Sequence, residues 1–132
     1  MKDLMKSNIY DCEDKIIVVG SCLQNMQPKA YQELEKFNLP IFELCLEQTH
    51  VNMAITKLLG MIRAKQIKKV IFASVDRSPH CIQLHYIQDE ITKLGFNVEF
   101  VNFVATENEL IEIPKEVISL SKNLCKLKNI KE

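Results

Sequence analysis

A chain of 132 residues is long enough for one domain around a single sizeable core, and short for more than one. At 47% apolar and 26% charged residues it lies outside the disordered class, and no apolar run approaches the ~20 residues needed to span a bilayer. Seventeen basic residues balance seventeen acidic ones, so no net field draws the chain to nucleic acid.

Residues 1–14 are polar and read as an irregular N-terminal segment ahead of a single α/β domain over 15–132. The stretch Met1–Asn8 lacks the apolar core of a signal peptide, so a cytoplasmic address without a membrane partner is expected. The run from Lys15 to Cys22 is β-branched, continuous and closed by Gly20, which suits a strand buried on both faces. A helix is expected from Pro28 to Phe37, then a second strand from Pro40 to Leu46. Val51, Ala54, Ile55, Leu58, Leu59 and Ile62 recur at helical spacing, with Thr49 as the expected N-cap. Gly60 inside this helix points to close packing. A third strand spans Lys69 to Val75. Ser78-Pro79 then reads as the start of a helix running to Leu94, with Leu84, Ile87, Ile91 and Leu94 turned inward. Asn97 to Val104 is a fourth strand, Glu107 to Ile113 has no clear pattern, and Pro114 to about Lys128 is a last helix presenting Val117, Leu120, Leu124 and Leu127.

Alternating strands and helices with continuous apolar strands predict a three-layer α/β domain with a mainly parallel sheet. With right-handed crossovers the expected strand order is 2-1-3-4, which resembles Rossmann-like or flavodoxin-like architecture at the level of the fold. Neither GxGxxG nor GxxxxGK[ST] occurs in the chain, which holds only three glycines, so dinucleotide-type and P-loop binding are not expected.

In such a sheet, ligands bind beyond the carboxyl ends of the strands where the order reverses, here between strands one and three. Strand one brings Gly20, Ser21 and Cys22 to this edge; strand three brings Ser74, Asp76, Arg77 and Ser78, then His80 and Cys81, with His85 one turn on. Gly20, Ser21, Arg77 and Ser78 form the expected ligand-binding set, through backbone N–H groups and a helix start. Cys81, in the first turn of the expected helix, is the candidate nucleophile, with His80 or His85 as base and Asp76 as orienter. Cys81 and His85 are also spaced i,i+4, and with Cys22 they would supply three metal ligands, Asp89 bracing the imidazole.

A metal ion is therefore the one cofactor the pattern suggests. The five cysteines are scattered and form no CxxC pair, consistent with a reduced compartment and mostly buried thiols. Two functions fit. One is a ligand, metal or redox site using a thiol at the edge of strands one and three. The other is a non-catalytic module that binds a small anionic metabolite or a protein partner and keeps its cysteines as packing. Self-association into a homo-oligomer is compatible with either.

Overall fold

Continuous β-branched runs without a polar break have no face to offer water. In the computed structural model, which describes residues 1–131, Ile16–Val19 and Val70–Ala73 are accordingly buried throughout. They belong to a six-stranded sheet of β1 (Lys2–Asp3), β2 (Lys15–Gly20), β3 (Ile41–Leu44), β4 (Lys69–Val75), β5 (Glu99–Ala105) and β6 (Leu110–Glu112). The order is β1-β3-β2-β4-β5-β6; every pairing is parallel except the antiparallel one between β5 and β6. The inner four strands reproduce the expected 2-1-3-4 arrangement, with β2 and β4 at its centre.

Alternate side chains of the strands feed two cores. Ile16, Val18, Val70 and Phe72 pack under α3 (Val51–Lys65) and α4 (Gln83–Lys93). Ile17, Val19, Ile71 and Ala73 pack under the short α1 (Leu23–Met26) and α2 (Pro28–Glu35). The chain closes with α5 (Lys115–Ser121) and α6 (Leu124–Lys131). No helix among the described residues is long and apolar enough to cross a membrane.

Several local expectations are corrected. The N-terminal segment is not wholly irregular: β1 adds a parallel edge to β3, and Leu4 is fully buried behind it. His50, not Thr49, occupies the N-cap of α3, without a side-chain capping bond. Gly60 does mark a close approach, since a Cβ there would lie 3.2 Å from Ile9 Cγ2. The segment 107–113 contributes β6, a short return strand on β5. The last helix is two helices, and of that region only Ile118 is buried, while Val117 and Leu124 stay exposed. Leu94, at the C-cap of α4, is likewise exposed.

The largest local correction concerns α4, which begins at Gln83 rather than Pro79. Ser78 does cap, its Oγ accepting the Cys81 amide at 3.2 Å, but the chain from Pro79 to Ile82 forms turns before the helix sets in.

Candidate functional site

The sheet carries two polar side chains on a face that should be apolar. Ser74 follows Val70 and Phe72 on one side of β4, and Asn102 of β5 stands in register with Phe72 on that side. Left without partners, buried groups of this kind cost roughly 1–3 kcal/mol each. The first turns of α4 place His85 between them. His85 Nε2 lies 2.7 Å from Ser74 Oγ, and His85 Nδ1 lies 2.9 Å from Asn102 Oδ1. Asn102 Nδ2 in turn donates to Gln88 Oε1 at 3.0 Å, while Gln88 Nε2 has no partner. All four residues are 3% exposed.

This chain of bonds sets the proton positions. The Asn102 carbonyl oxygen can only accept, so His85 Nδ1 carries the hydrogen and Nε2 presents a lone pair to the Ser74 hydroxyl. Burial holds the His85 pKa below the ordinary histidine value, and the bond to Asn102 opposes this only in part. The imidazole is therefore neutral at neutral pH, with its basic nitrogen aimed at a hydroxyl.

Beside this pair lies a cavity of about 370 Å³, lined by both Ser74 and His85. Ile82 of the turn, Val104 of β5 and Ile113, Val117 and Ile118 at α5 give it apolar walls. Asp76, Arg77 and Ser78 line it from the turn after β4. That turn is held by the Ser78 amide on the Val75 carbonyl at 3.2 Å, with Arg77 at a φ of 73°, a conformation uncommon outside glycine. Tyr86 Oη meets Ser121 Oγ at 3.0 Å, and Lys122 pairs with Asp89, so α5 is tied to α4 across the outside of the cavity.

A family model described as a Rossmann-like domain matches residues 12–132. The chain belongs to this family. No curated protein and no solved structure gives a significant match.

Within this Rossmann-like domain the expected site residues divide into two groups. Asp76, Arg77, Ser78 and His85 line the cavity. Gly20, Ser21, Cys22, His80 and Cys81 do not. The cavity thus lies one strand over from the reversal point between β2 and β4, towards β5. The cause is local: Cys81 folds across the end of β2, and a Cβ built on Gly20 would sit 2.3 Å from Cys81 Sγ. The thiol fills the notch where a ligand would approach the first strand. Gly20→Ala should therefore destabilise the fold by about 1–3 kcal/mol through overpacking. Cys81→Ala in the same chain should recover most of that loss; denaturant midpoints of the two single variants and the double variant measure it, and additive losses would contradict this packing.

The expected Cys81 catalytic set is not assembled. Cys81 is 7% exposed and packs with Leu23, Ala30 and Val75, while His80 and Asp76 are exposed and make no hydrogen bond to it. Its neighbour is Cys22, whose pKa is raised first by burial and then by the nearby Cys81 thiol, which disfavours a thiolate. The expected clamp of Cys22, Cys81 and His85 is not formed either. Cys81 precedes α4, so its i,i+4 spacing to His85 does not put the two on one helical face, and both ring nitrogens of His85 are engaged elsewhere. Asp89 turns to Lys122 rather than to His85. Among the described residues no three His, Cys, Asp or Glu side chains are grouped to hold a metal ion. Of the thiols, Cys12 and Cys81 are buried, Cys22 and Cys45 half-buried and Cys125 exposed.

A dinucleotide, the familiar guest of Rossmann-like folds, does not fit the first turn. The pyrophosphate needs close backbone approach at a glycine and the start of a long helix. Here Cys81 covers Gly20 and α1 is four residues long.

The residue that the linear pattern missed is Asn102. Its signal was present: a Ser in Val70–Val75 and an Asn in Phe100–Val104 each interrupt an apolar strand, and two such breaks on neighbouring buried strands demand a shared partner.

Proposed function

We propose that this Rossmann-like domain binds a small, largely apolar molecule carrying one hydrogen-bonding group, in the cavity at the carboxyl ends of β4 and β5. The observation that carries the reading is the Ser74–His85 pair lining a cavity of about 370 Å³ whose walls are otherwise mostly apolar. That combination, apolar walls with a few convergent polar groups, is the usual form of a small-molecule site, and the volume sits near the low end of the ~300–1,000 Å³ range. Asp76 and Arg77 balance each other in the lining, and His85 is neutral, which favours an uncharged guest over a strongly anionic one. A thiol-centred function has less support, because the thiols near this edge pack against β2 and not into the cavity.

Phenylacetamide and phenylacetate test the reading with one ring and two head groups. Titration followed by amide NMR should give saturable shifts confined to residues 74–85, 104 and 113–121, larger in population for phenylacetamide at equal concentration. Val117→Trp, which places a large ring at the cavity wall, should abolish them. Shifts scattered over the surface, or unchanged in Val117→Trp, would overturn the assignment.

A further inference from the structure

We infer that Ser74 is an acyl-accepting nucleophile and that the cavity takes small carboxylic esters with an apolar acyl group. This rests on the cavity reading above and adds a reaction to it. A serine hydroxyl is a weak nucleophile unless a base stands beside it and a third group orients that base. His85 Nε2 is 2.7 Å from Ser74 Oγ, within the reach of direct proton transfer. Asn102 Oδ1, 2.9 Å from Nδ1, holds the tautomer that leaves Nε2 free to accept. A structural network would satisfy these groups equally well in a closed core, but this one borders open space: Ser74 and His85 both line the cavity, and Gln88 and Asn102 border a second one of about 260 Å³.

The step balances without an oxidant or metal. Ser74 Oγ bonds to the ester carbonyl carbon as its proton passes to His85 Nε2. The bond from that carbon to the alkoxy oxygen breaks, and the alcohol leaves with the proton from Nε2. Water then adds to the acyl carbon, giving a proton to Nε2. The bond to Ser74 Oγ breaks, and Nε2 returns the proton to Oγ. The sum is ester plus water giving carboxylic acid plus alcohol.

The test incubates the full chain with p-nitrophenyl butyrate, follows p-nitrophenolate release by absorbance, and maps the adduct by peptide mass spectrometry. A butyryl group on Ser74 is expected, absent in Ser74→Ala. Release should slow at least about 10²-fold in His85→Gln, the lower bound for loss of a general base. Ser74→Cys keeps a nucleophile in place and should be acylated at residue 74, which separates loss of the nucleophile from loss of the fold. Butyrylation confined to Cys125 or lysines, or release unchanged in Ser74→Ala, would overturn the proposal. Binding of phenylacetamide in the cavity without acylation of Ser74 overturns the reaction and leaves the binding site standing; absence of both overturns both.

Discussion

Replacing Asn102 by Leu should destabilise the protein by about 2–6 kcal/mol, although the two side chains are close in size. The change leaves His85 Nδ1–H and Gln88 Oε1 without their partner, both inside the fold. Each stranded group carries a desolvation cost of roughly 1–3 kcal/mol, and Gln88 already holds one unpaired donor. Adding His85→Phe to the same chain removes one of the stranded groups, so the double variant should be less destabilised than the sum of the single ones, with a coupling of about 0.5–3 kcal/mol. Urea midpoints for the cycle measure this. A loss below about 0.5 kcal/mol in Asn102→Leu, the range of an ordinary surface change, would mean the bond to His85 is not made.

The second large effect is on acid stability. In the unfolded chain His85 should titrate near ~6.5, whereas burial lowers its pKa in the fold. Below the unfolded value the unfolded chain binds a proton that the folded one refuses, so stability falls as pH drops. The loss starts near the unfolded pKa, continues until the folded pKa is passed, and proceeds at up to about 1.4 kcal/mol per pH unit. His85→Gln removes this component. Urea midpoints between pH 7.5 and 5 should therefore fall more steeply for the natural chain than for the variant. A difference between the two that stays constant across that range would contradict a buried neutral imidazole.

Which features can be read from the sequence follows from the type of interaction involved. The continuous apolarity of Ile16–Val19 and Val70–Ala73 carries the parallel sheet and its central strands, because burial on both faces leaves few other arrangements. Ser78, Arg77 and Asp76 were legible as edge residues for the same reason: they follow a central strand. The pairing of His85 was not. Its sequence neighbours Cys81 and Asp89 stand at helical spacing, yet its partners are 11 and 17 positions away, on β4 and β5. Register between parallel strands is set by tertiary packing and leaves no local mark. The late start of α4 had the same effect on Cys81: Ser78 and Pro79 are good first-turn residues, but the turn at Arg77 and the packing of the thiol over Gly20 use up the next residues. At the C-terminal end, apolar spacing alone predicts one helix from Pro114 to about Lys128 with Val117, Leu120, Leu124 and Leu127 on one side, where a break after Ser121 leaves most of that stripe exposed.

His85 is a neutral base, protonated on Nδ1 and open on Nε2 towards Ser74. Two-bond ¹⁵N–¹H NMR of imidazole-labelled protein reads that state directly. At pH 7 His85 should show a pyrrole-type Nδ1 and a pyridine-type Nε2, and this pattern should persist below pH ~6.5, where an unperturbed histidine would be half protonated. An Nε2–H tautomer, or titration at or above that pH, would contradict it.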